Sequence, residues 1–270
     1  MRRAVLHWEE AEPARPGPSG MLHPGGVPPS PRSVSVVIPV KDDARHLEVC
    51  LAALARQTEA PLEVVVVDNA SSDDSGEVAR RFGAVVVEEP EPGIPAAASS
   101  GYDAARGAII ARVDADSVPP VDWVQRVRAA LDADTGLSAV TGPGEFPALA
   151  APARWLARTF YMRPYFSVFA RRLGHPPVFG SNFAMTRQAW LAARDRVHRH
   201  DPEVHDDLDL SYALPPDARV LLDPQLTMPI SARPFANPVL FVKRVQRGRR
   251  TVRVNRDARP ASPDPRAVTA

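Results

Sequence analysis

Residues 34–67 run VSVVIP, VKDDARHLEVCLAALARQTEAP and LEVVVV, two short β-branched runs on either side of a stretch in which Leu47, Cys50, Leu51 and Leu54 recur at helical spacing. Strands this uniformly apolar are buried on both faces, and a helical crossover between two of them sets them parallel. The pattern predicts strands over 34–39 and 62–67 with a helix over 43–57 between them. The alternation continues outward, with a helix over 73–82 capped by Ser72 or Asp73, a short strand over 84–87, a helix over 94–106 closed by a left-handed Gly107, and a strand over 108–113. Beyond a helix over 121–131 the regularity weakens, and 137–141, 178–186 and 219–222 read as strands of a mixed region. The expected fold class is α/β: a mostly parallel central sheet flanked by helices, with a mixed second half.

Composition narrows the function classes. The 270 residues carry 33 basic and 32 acidic side chains, so no global field draws a polyanion to the surface and nucleic acid is not an expected partner. A mean hydropathy of −0.20 with 44% hydrophobic residues excludes collagen-like repetition, wholesale disorder and a polytopic membrane protein. No run reaches the ~18 apolar residues of a spanning helix, and Trp8, Glu9 and Glu10 stand where a signal peptide would be apolar. A cytoplasmic protein is expected, with peripheral contact at the inner face of a membrane left open. The lone Cys50 supports neither an intramolecular disulfide nor a cysteine zinc site and reads as a small buried hydrophobe. Prolines at 13, 16, 18, 24, 28, 29 and 31 mark residues 1–32 as a tail, and arginines with Pro260, Pro263 and Pro265 mark 248–270 as another. The folded domain is expected over 33–247, its 33–118 half binding a ligand and its 119–247 half completing the site.

Ligands of open parallel sheets gather outside the carboxyl ends of the strands. Here those ends carry Pro39-Val40-Lys41-Asp42-Asp43, then Asp68-Asn69-Ala70-Ser71-Ser72-Asp73, then Asp114-Ala115-Asp116-Ser117. Neither a glycine-rich dinucleotide turn nor a phosphate-binding Gly-x-x-x-x-Gly-Lys is present, so a phosphate at this edge needs a cation to neutralise it. Asp114 and Asp116 offer the oxygens that a hard divalent ion shares with a substrate's phosphates. Alternatively they are solvated carboxylates favoured by the dipole of the next helix. His205-Asp206-Asp207-Leu-Asp-Leu-Ser211 opens a helix ended by Pro215-Pro216. Its carboxylates either stabilise a first helical turn or, folded over the acidic edge, supply one that takes a proton from a hydroxyl.

Taken in order, VSVVIP at 34–39, EVVVVDNASSD at 63–73, GAIIARVDAD at 107–116, GSNFAMTR at 180–187 and DDLDLS at 206–211 resemble a family-2 inverting glycosyltransferase with the GT-A nucleotide-sugar fold, over about residues 33–215. The resemblance implies a nucleotide-sugar donor and a divalent cation, Mg2+ or Mn2+. It implies that Pro39, Val40, Asp42, Asp68, Asn69 and Asp114 hold the nucleotide-sugar and that Asp116, with Asp114, binds the metal. Gly180, Ser181, Asn182 and Asp206 would line the sugar and acceptor pocket, and Asp207 would be the catalytic base. The acceptor would be a hydroxyl on a sugar, a lipid-linked molecule or a small molecule.

Several positions depart from the family pattern. Ser99-Ser100 replaces a frequent Arg-Asn, Asn69 stands where a second Asp is common, and Asp206-Asp207 replaces Glu-Asp. Gln246-Arg247-Gly248-Arg249-Arg250 lacks the tryptophan of the processive members' Gln-x-x-Arg-Trp. Two rivals follow. A non-catalytic sugar-nucleotide binding module would fit the departures. A haloacid-dehalogenase-like phosphatase would fit Asp114-Ala-Asp116-Ser-Val118, although no lysine lies between Lys41 and Lys243 to hold its phosphoaspartate. Residues 154–172 mix five arginines with Trp155, Phe160, Tyr161, Tyr165, Phe166 and Phe169. This segment reads as a helix covering the acceptor side, Pro164 opposing one long surface helix, or as a membrane-interface segment.

Overall fold

The computed structural model describes residues 32–233 and 238–256. The expected tail over 1–32 lies outside them save for Arg32, as does the chain beyond 256. The strands are β1 (Val34–Val40), β2 (Glu63–Asp68), β3 (Val85–Glu88), β4 (Ile109–Arg112), β5 (Leu137–Thr141), β6 (Gly144–Glu145), β7 (Phe183–Thr186), β8 (Arg219–Leu222) and β9 (Met228–Pro229). The helices are α1 (Ala44–Leu54), α2 (Ser75–Arg81), α3 (Ile94–Ala104), α4 (Trp123–Ala133), α5 (Ala151–Ala157), α6 (Arg163–Leu173), α7 (Arg187–Ala193), α8 (Asp206–Ala213) and α9 (Pro238–Val254), with a π-helical turn, Arg158–Met162, joining α5 to α6.

Seven strands form one sheet in the order β3-β2-β1-β4-β7-β5-β8. The first four are parallel, and β7 runs antiparallel to both of its neighbours, β4 and β5. Successive side chains of β1 explain why both faces must be covered. Val36 and Ile38 join a core with Leu47 and Leu51 of α1 and Val124 of α4, whereas Val37 joins a second core with Ala97 and Tyr102 of α3 and Trp190 of α7. The sheet therefore lies between two helical layers, as its apolar strands predict. Cys50 is fully buried beneath the acidic edge with its Sγ 3.8 Å from Asp114 O, and burial pushes the thiol pKa up.

The structure corrects several boundaries. Helix α1 stops at Leu54 because Gln57 turns to α4, its Nε2 donating to Pro120 O at 2.7 Å and its Oε1 accepting from Val124 N at 2.9 Å. Gly107 is not a left-handed cap. It is a crossing point, where a Cβ would lie 2.6 Å from Ser35 N. The expected strand over 178–186 shortens to β7, because Val178 N and Phe179 N donate to the hydroxyls of Ser211 and Thr141 instead of to a strand. The domain does not end at 247: α9 runs to Val254, with Thr251 and Asn255 buried. Residues 154–172 do cover the core, through Ala157, Met162 and Phe166, but Trp155, Leu156, Phe160 and Val168 face outward, each about half or more exposed. Pro164 lies just after the π-helical turn, and the helical backbone runs on through Met162 and Arg163 into α6. Among the described residues no helix is long and apolar enough to cross a membrane.

Candidate active site

A cavity of about 590 Å³ opens at the carboxyl ends of β1, β2 and β4 and reaches the starts of α3 and α8 and the side of α9. One wall is acidic, formed by Asp43, Asp114, Asp116, Asp206 and Asp207. Strand β4 sets this wall by ending on a charged residue. Arg112, 2% exposed, donates through Nη2 to Asp114 Oδ1 at 2.9 Å and through Nη1 to Asp206 Oδ2. One guanidinium thus joins the acidic pair after β4 to the acidic pair that opens α8, 94 positions away. Burial alone would lower its pKa, but Asp206 and its other anionic neighbours raise it, and the side chain stays charged.

Asp207 is 3% exposed and accepts three hydrogen bonds: from His205 Nδ1 at 2.6 Å, Leu208 N at 2.6 Å and Gly180 N at 2.8 Å. Burial would raise its pKa, yet the adjacent His205 and these donors hold the carboxyl far below the ordinary carboxylate range. His205 is raised in turn: burial opposes its charge, and Asp207 wins. Asp206 moves the other way, raised mainly by burial. Asp116 is also raised, by burial and then by the charge of Asp114, although Arg233 Nη2 lies 2.8 Å from its Oδ2 and 2.6 Å from Asp43 Oδ2. Asp114 accepts a second bond, from Ser181 Oγ at 2.5 Å.

Pro39, Val40, Asn69, Asp114, Asp116, Gly180, Ser181, Asp206 and Asp207 all line this one cavity. Three expected residues do not. Asp42 is exposed, with φ +50°, and its carboxylate accepts from Ser72 N at 2.6 Å and Ser72 Oγ at 2.9 Å, tying the loop after β1 to the loop after β2. Asp68 turns into its own loop and accepts from Ser71 N at 2.9 Å. Asn182 is fully buried, Oδ1 accepting from Trp123 Nε1 at 2.9 Å and Nδ2 donating to Leu226 O at 2.5 Å, which makes it a strut behind the cavity. Asn69 reaches the wall, but its amide is consumed: Nδ2 donates to Glu89 O and Glu91 O, and Oδ1 accepts from Gly93 N. Of the two serines that depart from the family pattern, Ser100 donates to Glu89 in that same loop.

The sequence pattern of glycosyl transferase family 2 matches residues 35–194. The chain belongs to this family. Glycosyltransferase AglE of Haloferax volcanii is 36% identical over 121 residues, 42% of this chain and 40% of AglE. An uncharacterized glycosyltransferase of Mycobacterium tuberculosis is 37% identical over 126 residues, 47% of this chain and 55% of the relative. The chain thus spans about half the length of these relatives. Two solved structures share the fold. Mannosyltransferase PcManGT of Pyrobaculum calidifontis, in complex with GDP-Man and Mn2+, superposes with a TM-score of 0.64 at 24% identity, covering 89% of this chain and 69% of that one. Glucosyl-3-phosphoglycerate synthase of Mycobacterium tuberculosis, with Mn2+, UDP-glucose and phosphoglyceric acid, gives 0.62 at 21% identity, covering 83% and 79%. The central sheet with its single reversed strand is therefore the GT-A arrangement.

Beyond its motif residues, this family-2 chain brings to the cavity three groups that sequence reasoning did not assign to the site: Arg112, His205 and Arg233. Arg112 left a signal, being the one charged residue in the run AIIARV. A charge in a strand buried on both faces requires a partner. Arg233 left none, since nothing in its local sequence places it over Asp116.

Proposed function

We propose that the protein transfers a sugar from a nucleoside-diphosphate donor to a hydroxyl acceptor by a single displacement with inversion. The observation that carries this reading is Arg112, whose grip on both Asp114 and Asp206 keeps the metal-type pair and the base motif on one cavity wall. The donor side is formed by Pro39, Val40, Asn69 and Asp114, and Asp42 and Asp68 act by holding the loops after β1 and β2 in place.

Asp116 and Asp114 would hold a Mg2+ or Mn2+ ion. The residues fit such a group: hard oxygen donors at a buried strand end, where Asp116 and Asp43 already close around one positive guanidinium. When bound, the ion would stabilise negative charge on the departing diphosphate. The chain's own residues supply the other half of the reaction. The acceptor oxygen forms a bond to the anomeric carbon, the bond to the diphosphate oxygen breaks with its electron pair leaving on the nucleotide, and the hydroxyl proton passes to the Asp207–His205 pair. Gly180 lets Asp207 approach, because a Cβ there would lie 3.2 Å from Asp207 Oδ2 and 3.3 Å from Arg112 Nη2.

Outward-facing Trp155 and Phe160, beside the five arginines of 154–172, support peripheral contact with an anionic membrane surface at the cytoplasmic face. The deciding experiment incubates the protein with a panel of UDP- and GDP-sugars, with Mn2+ or Mg2+ and with chelator. Metal-dependent release of nucleoside diphosphate is expected for at least one donor. Binding of donors with no release in any acceptor mixture would leave a binding module instead.

A further inference from the structure

Beside the Asp206–Asp207 end of the acidic wall, α9 lines the cavity with Lys243, Arg244 and Arg247. The spacing of Arg244, Arg247 and Thr251 is i, i+3 and i+7, one face of a helix. Thr251 fixes which face that is, because its Oγ1 accepts from His205 N at 2.7 Å. A second contact, Asn255 Nδ2 to Asp209 Oδ1 at 2.7 Å, seats the same helix on α8. Arg244 is held in place by the π-helical turn, Nη1 donating to Tyr161 OH at 2.5 Å, and it lies close enough to His205 for its charge to oppose protonation of the ring. The cations therefore stand on the side of the cavity where the Asp207–His205 pair acts.

Arg244 feels the charges of Asp207 and Asp114, but charge balance shows that Lys243 and Arg247 are not needed by the acidic wall. Arg112 already pairs with Asp114 and Asp206, Arg233 with Asp43 and Asp116, and His205 with Asp207. A donor diphosphate would bring its own compensation in the divalent ion. Among the described residues, Arg247 has only the exposed Glu203 at 3.5 Å, and Lys243 has no ion-pair partner. Three positive side chains lining one side of the cavity fit a second anion.

We propose that the acceptor carries a phosphate group, held by Lys243, Arg244 and Arg247 while its hydroxyl meets the Asp207–His205 pair. This rests on the transferase reading and names its acceptor class. Arginine forks and a lysine point charge are the side chains suited to phosphate oxygens. The phosphate could belong to a soluble monoester or to a lipid headgroup, and the cavity chemistry is the same for both.

The test is a calorimetric titration of the full chain with inorganic phosphate, in the presence of Mn2+ and whichever of UDP or GDP binds. Phosphate binding is expected, weakened about tenfold or more in the double variant Lys243→Gln/Arg247→Gln by loss of charge-assisted hydrogen bonds, with nucleotide affinity unchanged. Competition then assigns the source. Displacement by glycerol 3-phosphate alone supports a soluble acceptor, and displacement by phosphatidylglycerol vesicles alone supports a lipid. Absence of phosphate binding, displacement by uncharged glycerol as effective as by glycerol 3-phosphate, or an equal loss of nucleotide affinity in the double variant would overturn the proposal. If neither UDP nor GDP binds with Mn2+, it is the transferase reading that fails.

Discussion

The strand-end part of the acidic wall, Asp43, Asp114 and Asp116, follows β1 and β4, parallel strands buried on both faces, whereas the basic wall comes from α9, which packs on α8 beside Asp206 and Asp207, with Arg244 reaching the π-helical turn. The first wall moves only if the core moves. The second is seated on α8 and its neighbours through Thr251, Asn255, Arg250 and Val252, and can change its cavity-facing residues without disturbing the sheet. If the two walls hold donor and acceptor as proposed, a wall built on the sheet beside one carried by a terminal helix is the arrangement expected where one donor chemistry serves varied acceptors, since function is grafted onto a retained fold.

The largest effect tests whether the walls have separate tasks. Asp207→Asn should lower transfer by about 10²–10⁴-fold, the usual contribution of a general base, while calorimetry shows nucleotide binding retained. Comparable loss of nucleotide affinity would merge the two walls into one donor site. Next is Arg112→Met, which leaves the buried Asp206 without its cation and Asp114 with only the Ser181 hydroxyl. A cost of about 3–5 kcal/mol is expected, or roughly 10 °C in the thermal midpoint for a domain of this size. Adding Asp206→Asn should recover part of the loss, and no recovery would mean that the arginine acts through packing.

A smaller effect lies in pH. Asp207 raises the pKa of His205, so the proton-accepting form of the pair is complete only above the ordinary histidine value of 6.5. The acid limb of the turnover profile should therefore lie above pH 6.5, with rate falling about tenfold per unit below it, and His205→Gln should abolish that limb. A limb below pH 4 would assign the proton to the Asp207 carboxylate alone. The smallest change is Arg233→Ala. Its guanidinium is half exposed, so the pairs with Asp43 and Asp116 contribute under about 1 kcal/mol. If Asp116 holds the divalent ion as proposed, Arg233 would compete with it for that carboxylate, and the variant should show a larger Mn2+-induced rise in thermal midpoint than the parent.

The same contrast explains what could be read from the sequence. The runs 34–39, 62–67 and 108–113 predicted the parallel half and placed Asp114 and Asp116 at its edge, because an apolar strand and the acidic turn after it are contiguous in the chain. Asp207 joined them through the order of the family motifs. Asp42, Asp68 and Asn182 carry the right chemistry at positions whose side chains the fold spends on its own loops and core, and only coordinates distinguish those uses. Arg233 and the face of α9 depend on contacts across the sequence, and Gly248 hid the continuation of the helix because an isolated glycine is tolerated inside one.

Cys50 turns the rigidity of the donor wall into something measurable. As the only thiol in the chain, sealed under the backbone of Asp114 and held in its unreactive protonated form, it reacts with an alkylating reagent only when the ground beneath the metal pair opens. Its labelling rate is a clock for that opening. Nucleotide and Mn2+ should slow the clock, and changes confined to α9 should leave its pace untouched.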